Sequence, residues 1–166
     1  MATIFASTYE CPVGPLVLVS NGARLTRVCT RPFPKVHDDV VWDDDAEPFA
    51  ETRRQLTEYF DGDRTQFDIP IEPEGTPFQL AIWKQLTRIP YGETVSYSEI
   101  GRRLGDLKMS RAVGLANGKN PLPIIIPCHR VIGADGSLTG YSGGLGLKRF
   151  LLNLESPALV LPGLSA

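Results

Sequence analysis

The sequence predicts an α+β protein of two domains: an N-terminal domain with an antiparallel sheet and a helix, and a mainly helical C-terminal domain. Two observations predict this division. Residues 1–30 contain three apolar runs separated by turn residues, which is typical of strands. Residues 76–118 contain capped runs with apolar residues at helical spacing. We place the boundary in the segment EPEGT at 72–76, so the domains span residues 1–75 and 76–166.

Composition excludes disorder and a membrane span. The chain has 166 residues, of which 42% are hydrophobic and 22% are charged, and this apolar content is sufficient for a folded core. The apolar run PLPIIIP at 121–127 is far shorter than the ~20 residues that a spanning helix needs. No basic segment followed by an apolar stretch begins the chain. We therefore expect a cytoplasmic protein with no membrane partner.

The charge is distributed unevenly along the chain. The formal net charge is −2, but residues 1–90 carry −5 and residues 91–166 carry +3. An acidic first half is therefore joined to a basic second half. Chance asymmetry and a basic nucleic-acid-binding half both account for this pattern.

Cysteine usage indicates free thiols. Cys11, Cys29 and Cys128 form an odd set, so a complete disulfide framework is excluded. The chain has no CxxC, and its histidines are His37 and His129, so the ligand spacing of a structural zinc site is missing. We predict no metal.

The elements of the first domain follow from local patterns. TIFASTY, LVLVS and LTRVCT read as strands, separated by the turns at Pro12–Pro15 and Asn21-Gly22. The later elements are a surface loop over 31–46, a helix over 47–60 and a short strand over 66–71.

The second domain begins with helices. Thr76 caps a helix that runs towards Pro90, and the S-x-x-E pattern of Ser96 and Glu99 opens another that ends at Gly105. Ser110 is placed to cap a further helix, RAVGLANG. Two short capped helices joined by a turn are typical of a helix-turn-helix, although many such pairs bind no nucleic acid. Basic residues on this stretch favour DNA binding; they are Arg102, Arg103, Lys108, Arg111 and Lys119.

The segment after these helices carries the reactive groups. The run Ile124–Ile126 predicts a buried strand that Pro127 stops, so Cys128 and His129 follow at its end. A cysteine attacks as the thiolate, and histidine is a suitable base. Adjacent residues of a strand point to opposite faces, so a bend after Pro127 or a bridging water is needed for the two to cooperate. A structural cysteine beside a satisfied histidine is the alternative.

Glycines and an aromatic side chain follow. Gly133, Gly136, Gly140, Gly143 and Gly144 allow the backbone to approach a flat ligand closely. The ring of Tyr141 is suited to stack on such a ligand. A turn-rich loop without a ligand explains the same glycines.

These motifs resemble a known family. The chain is similar to the O6-alkylguanine-DNA alkyltransferases from Phe78 to Glu155, and only weakly so in its first half. The segments that carry the resemblance are Trp83, Ile89–Thr94, Ser96-Tyr97, Arg111–Gly114, Asn120-Pro121, Ile126–Val131 and Tyr141–Leu145.

The resemblance implies a catalytic set. Cys128 is expected to attack the alkyl group on guanine O6 and to keep it as a thioether. His129 is expected to deprotonate the thiol through a water, and Glu155 to orient His129. Asn120 is expected to hold the turn that shapes the site, and Tyr97 to stabilise or protonate the departing guanine at N3.

The resemblance also implies binding residues. Val131, Tyr141, Ser142 and Gly143 are expected to line the guanine pocket with Tyr97, and Arg111 to fill the stack that the flipped base leaves. The other residues expected at the DNA are Ser96, Ser98, Arg102, Ala112, Gly114 and Lys119.

The implied function is direct DNA repair. The substrate is O6-alkylguanine in double-stranded alkylated DNA, flipped out through a minor-groove helix-turn-helix, and alkylthymine as a substrate stays open. Displacement at saturated carbon needs no cofactor. The thioether is stable, so each molecule reacts once. We expect a monomer, with cooperativity on DNA left open.

Three departures and three alternatives accompany this interpretation. Gly118 replaces a basic residue of some relatives, residues 106–109 lack the expected proline-containing turn, and Cys11, Cys29 and His37 do not match the zinc ligands of others. The alternatives are an alkyltransferase-like protein that binds alkylated DNA without repairing it, a cysteine hydrolase and a transcriptional regulator. The presence of Cys128 argues against the first alternative, and the helix-turn-helix argues against the second. The lack of a separate metal-sensor segment argues against the third.

Overall fold

The computed structural model describes residues 3–31, 33–36, 38–139, 141 and 143–156. These residues form two compact units, Met1–Glu74 and Gly75–Ala166. The first is a sheet with a helix and the second is mainly helical, which confirms the predicted α+β class. Within the described ranges, no helix is long and apolar enough to cross a bilayer.

The first unit is built on a four-stranded sheet with the order β3-β2-β1-β4. The strands are β1 (Phe5–Cys11), β2 (Gly14–Ser20), β3 (Leu25–Cys29) and β4 (Val41–Trp42). β1 pairs antiparallel with β2, and β2 pairs antiparallel with β3. A two-residue turn joins β1 to β2. The side chain of Asn21 closes the turn between β2 and β3 by accepting from the Arg24 N–H at 2.8 Å. Leu16–Ser20 of β2 are all buried, so both faces of this inner strand are covered.

Two predictions for this unit were wrong in detail. The loop over 31–46 contains β4, which pairs parallel to β1 because the Val41 N–H donates to the Ile4 carbonyl at 2.8 Å. Residues 66–71 form no strand. They give a single bridge between Leu25 and Ile71, since Pro70 has no N–H to continue a ladder. The predicted helix is present as α1 (Phe49–Phe60).

The described part of the second unit contains four α-helices and a two-stranded parallel sheet. The helices are α2 (Pro77–Leu86), α3 (Tyr97–Arg103), α4 (Ser110–Gly118) and α5 (Leu145–Glu155), and the strands are β5 (Val95–Ser96) and β6 (Val131–Ile132). Thr76 caps α2 in a complete capping box, as predicted. α2 stops at Leu86, short of the predicted end, because the last residues before Pro90 tighten into i,i+3 turns.

The helix-turn-helix is formed by α3 and α4. Ser96 caps α3 by accepting from the Glu99 N–H at 3.1 Å. A 3₁₀ turn, Leu107–Met109, joins the two helices and is capped by Asp106. Ser110 is therefore the first residue of α4 and not its cap, because the 3₁₀ turn leads directly into the helix.

Candidate active site

The segment that leads to Cys128 is a buried turn and not the predicted strand. Ile124 has φ of 76°, a left-handed conformation that a strand cannot contain. Asn120 imposes this shape: its side chain accepts from the Leu122 N–H at 2.9 Å and donates to the Ile126 carbonyl at 2.8 Å. Asn120 thus occupies the position expected of the residue that shapes the turn.

Cys128 begins a 3₁₀ turn, Cys128–Arg130, immediately after Pro127. This bend lets two adjacent residues act together where an extended strand would separate them. Cys128 is 0% exposed. Burial raises the pKa of its thiol to about 11, although Asn120 and the positive charge of Lys148 act in the opposite direction. The resting thiol is therefore protonated, whereas a reactive cysteine is expected to have a lowered pKa.

Glu155, the last residue of α5, is the centre of a buried polar network. Its carboxylate lies 2.5 Å from Nε2 of His129 and accepts from Nε of Arg130 at 2.7 Å. Burial alone would raise the pKa of Glu155, but hydrogen bonds from His129 and Arg130 and the charge of the Arg130 guanidinium lower it to about 2. The structure therefore brings together His129 and Glu155 as the resemblance implies.

Gly92 fits against the same carboxylate. Its φ is +80°, and its N–H donates to Oε1 of Glu155 at 3.3 Å. A Cβ at this position would lie 3.2 Å from the backbone oxygen of Glu155. A side chain is therefore disfavoured here by both conformation and space.

His129 is fully buried and neutral at rest. Burial lowers the pKa of its imidazole below the ordinary 6.5, although the carboxylate of Glu155 opposes this shift. With Nε2 directed at Glu155, a neutral ring carries its proton on Nε2 and leaves Nδ1 as a proton acceptor. This tautomer is the one that a general base requires.

Arg130 is a functional residue that the sequence reasoning left unassigned. It is 6% exposed, makes two hydrogen bonds to Glu155, at 2.7 and 3.0 Å, and donates to the Ile89 carbonyl at 2.8 Å. Its position directly after Cys128 and His129 was a signal, because arginine is suited to bidentate pairing with a carboxylate.

Lys148 is a second residue that was missed. It is 0% exposed, and its Nζ donates to the carbonyls of Val131 at 2.6 Å and Thr139 at 3.0 Å. Burial lowers the pKa of its amine to about 8. Lys148 thereby connects two backbone segments beside Cys128. A single lysine in an amphipathic helix gave no signal of this burial.

Tyr97 lies at the first turn of α3 and reaches the same group. Its hydroxyl donates to the Thr139 carbonyl at 2.6 Å and lies 3.5 Å from Nζ of Lys148. Burial and the nearby Cys128 raise its pKa above 10, so the phenol remains a donor at neutral pH.

An open pocket of about 640 Å³ lies between α4 and the segment before α5. Gly114 and Gly118 line one wall, and Thr139 and Tyr141 line the other. A Cβ added at Gly114 would stand 3.8 Å from the ring of Tyr97, in ordinary van der Waals contact. Of the other predicted pocket residues, Val131 is buried in β6 and Gly143 is half-buried, while Ser142 lies outside the described residues, as do Gly140 and His37.

The predicted DNA-binding residues lie at α3 and α4. Arg111 and Lys119 are exposed, and Ala112 and Gly114 are half-buried on α4. Ser96 and Ser98 share a hydrogen bond of 3.0 Å at the start of α3. Arg102 is exposed and forms an ion pair with Glu99 at 2.6 Å. In the part of the chain that the structure describes, no three His, Cys, Asp or Glu side chains are grouped as metal ligands.

Comparisons with known proteins cover both units. Residues 77–157 match the family described as 6-O-methylguanine DNA methyltransferase, DNA binding domain, and residues 4–73 match the ribonuclease-like domain of the same name. A methylated-DNA–protein-cysteine methyltransferase of Methanosarcina acetivorans is 47% identical over 92% of this chain and 98% of that protein. A protein of the same name from Mycobacterium tuberculosis is 48% identical over 89% and 90%.

Solved structures give the same result. The crystal structure of Mycobacterium tuberculosis OGT in complex with DNA superposes with a TM-score of 0.86 at 46% identity, covering 92% of this chain and 93% of that one. The crystal structure of the O6-methylguanine methyltransferase of the same organism gives 0.84 at 44% identity, covering 95% and 96%.

Proposed function

The chain belongs to the 6-O-methylguanine DNA methyltransferase family, and from that premise we propose that Cys128 is the residue that receives the alkyl group. The protein repairs DNA by alkyl transfer to a cysteine of its own, and DNA is its partner. The observation that supports Cys128 is its place beside a neutral, buried base that a carboxylate orients. The other two cysteines lie in the first unit, and Cys29 is buried in its sheet.

The reaction begins with removal of the thiol proton. A water between the thiol and Nδ1 of His129 accepts this proton and passes one to the imidazole, while Nε2–H stays on Glu155. The resulting imidazolium is stabilised by the adjacent carboxylate. Because the thiol is protonated at rest, the proton moves during the reaction and not before it. This is general-base activation of a nucleophile by an oriented histidine.

Alkyl transfer then follows by displacement. Sγ of Cys128 forms a bond to the alkyl carbon as the bond from that carbon to guanine O6 breaks, and its electron pair returns to the purine. The hydroxyl of Tyr97 turns from the Thr139 carbonyl to N3 and supplies the proton that makes the leaving guanine neutral. The Tyr97 phenolate then regains a proton from water and the imidazolium of His129 releases one to water, so the net change is one proton moved from the thiol to guanine. The thioether is stable, so each molecule reacts once without a cofactor.

The lesion must leave the duplex to reach Cys128. We assign the pocket that Tyr141 lines to the flipped guanine. Val131, Ser142 and Gly143 are assigned to contacts with the base. The double-stranded substrate is approached with α4 in the minor groove, and Lys119 and Arg102 are assigned to phosphates. Ser96, Ser98, Ala112 and Gly114 are assigned to the same face. The protein acts as a monomer in the reducing cytoplasm.

Intact-mass measurement tests this proposal. After incubation with an oligonucleotide that contains O6-methylguanine, the protein is expected to gain one methyl group per molecule, and peptide mapping is expected to place it on Cys128. The unmodified oligonucleotide is the control. A methyl group on Cys11 or Cys29, or repeated turnover without a mass change, would refute the assignment.

Arg111→Ala tests the base-flipping role. Unstacking a base costs a few kcal/mol, so loss of the side chain that fills the gap is expected to slow repair of duplex DNA at least about tenfold. Reaction with free benzylguanine, which needs no flipping, is expected to change less than about twofold. Lys84→Ala is the matched control, because Lys84 is an exposed cation on α2. Equal losses on both substrates would show that Arg111 acts on the site and not on the DNA.

A further inference from the structure

Three buried polar atoms have no hydrogen-bond partner among the described residues. They are the side-chain oxygen of Asn117, Nδ1 of His129 and the hydroxyl of Tyr141. Buried polar groups in folded proteins are almost always paired, with protein or with bound water. Each of these atoms therefore needs an explanation, and a bound water is the partner that folded proteins commonly use.

Two of the three groups belong to residues that adjoin Cys128 directly, and the third interacts with it electrostatically. His129 follows Cys128 in the 3₁₀ turn, and the amide of Asn117 donates to the Cys128 carbonyl at 3.2 Å from the last turn of α4. Tyr141 lines the pocket and lies just before α5. Burial, and then the negative charges that Glu155 and an ionised Cys128 carry, raise the pKa of Tyr141 well above 10, so its hydroxyl lies within electrostatic range of both and keeps its proton.

Their hydrogen-bonding capacities match a single water molecule. Nδ1 of neutral His129 and Oδ1 of Asn117 are acceptors, while the phenol of Tyr141 and the thiol of Cys128 are donors. A water donates two hydrogen bonds and accepts two, so its capacity equals that of these four groups together. Buried waters with such a set of partners are part of the protein structure.

We propose that the hydroxyl of Tyr141, with the side-chain oxygen of Asn117, positions the water that carries the proton from Cys128 to His129. This inference rests on the proposed function. It gives Tyr141 a second role, since its ring stacks on guanine while its hydroxyl binds the relay water. Tyr141 and Asn117 are both positioning residues, because they act through the water and through His129.

The arrangement stays satisfied when the proton moves. Before transfer, the water accepts from the thiol and Tyr141 and donates to His129 and Asn117. After transfer, the imidazolium Nδ1–H donates to the water, and the water donates to the thiolate. Tyr141 remains a donor and Asn117 an acceptor in both states. No partner is lost, so the proton moves without reorganisation of the site.

The other groups that face this turn have hydrogen-bond partners in the structure. Glu155 and Lys148 approach from α5, Arg130 belongs to the turn and Tyr97 approaches from α3. Each of them makes hydrogen bonds to described atoms. Tyr141 is therefore the phenol that is free to hold a water.

Tyr141→Phe tests the proposal because it removes the hydroxyl and keeps the ring. We expect the rate of transfer from free benzylguanine to fall about tenfold at pH 7, with the benzylguanine concentration that gives half of the maximal single-turnover rate unchanged. The midpoint of the pH–rate profile is expected to rise by about one pH unit, and the two proteins are expected to converge at high pH. Tyr9→Phe is the control, because its hydroxyl contacts Thr57 in the first unit.

Two outcomes overturn the proposal. An unchanged pH profile, whether the rate is normal or uniformly reduced, would limit Tyr141 to packing and stacking. A high-resolution crystal structure that shows no water within hydrogen-bond distance of both the Tyr141 hydroxyl and Nδ1 of His129 would also exclude it, even if the variant does not fold. The mass of the protein after reaction with benzylguanine distinguishes failure of this proposal from failure of the proposed function. Wild-type protein that gains no benzyl group refutes the proposed function itself.

Discussion

Serine at position 128 is expected to abolish alkyl transfer while leaving DNA binding intact. The substitution changes one atom in a fully buried site, so the fold has little reason to change. A hydroxyl is far less acidic than a thiol and is a harder, poorer nucleophile at saturated carbon, so the relay to His129 does not generate a competent anion. No methyl transfer is expected within the period that the wild-type protein needs for complete reaction.

Cys128→Ser is measured by intact mass and by electrophoretic mobility shift on the same methylated oligonucleotide. Cys11→Ser is the matched control, because Cys11 is a free and half-buried thiol in the first unit. A gain of one methyl group by Cys128→Ser would show that another residue is the nucleophile. If Cys128→Ser loses DNA binding as well as transfer, the substitution has damaged the protein beyond the reactive sulfur.

Glu155→Gln is expected to weaken both the fold and the reaction. It leaves the guanidinium of Arg130 buried without its carboxylate, and breaking a buried pair in this way costs about 3–5 kcal/mol. It also removes the group that fixes the tautomer of His129, so transfer slows even where the protein is folded. The double variant Glu155→Gln, Arg130→Gln is expected to recover part of the stability, since it also removes the unpaired charge.

The pH dependence of stability distinguishes the wild type from this variant. The pKa of Glu155 is about 2 in the folded protein, against an ordinary 4.5, so its stabilisation is complete above pH 4.5 and is lost as the pH falls towards 2. Urea unfolding at pH 7, 4.5 and 2.5 is expected to show an acid loss of about 3 kcal/mol that Glu155→Gln lacks. Parallel acid dependence in the two proteins would show that the carboxylate of Glu155 is not held ionised by the fold.

Local patterns predicted most of the architecture. Turn residues and short apolar runs identified the hairpins of the first unit, and caps such as Thr76 and Ser96 marked helices because these signals act within a few residues. The Ile124–Ile126 run was wrongly predicted to be a strand, because its conformation is not set by its own residues. Its path is set by Asn120, whose side-chain hydrogen bonds override the strand preference of three β-branched residues.

The catalytic network was only partly predictable. Cys128 and His129 stand in a recognisable motif, and Glu155 was assigned by resemblance alone. Arg130 and Lys148 were missed, because a buried charge is defined by partners that are distant in sequence: Glu155 lies 25 residues from Arg130, and Val131 lies 17 from Lys148. Residue type and local spacing carry no information about such pairs before the chain is folded.

The burial of Cys128 affects how long a protein molecule that has not yet reacted remains able to accept an alkyl group. Peroxides and electrophilic metabolites attack exposed thiolates, and the products of extensive oxidation are irreversible. A sulfur that is covered by protein and keeps its hydrogen is a poor target for these reagents. A protein that reacts once and is then spent has no means of replacing a damaged sulfur, so this chemical dormancy preserves the cell's stock of active molecules until damaged DNA arrives.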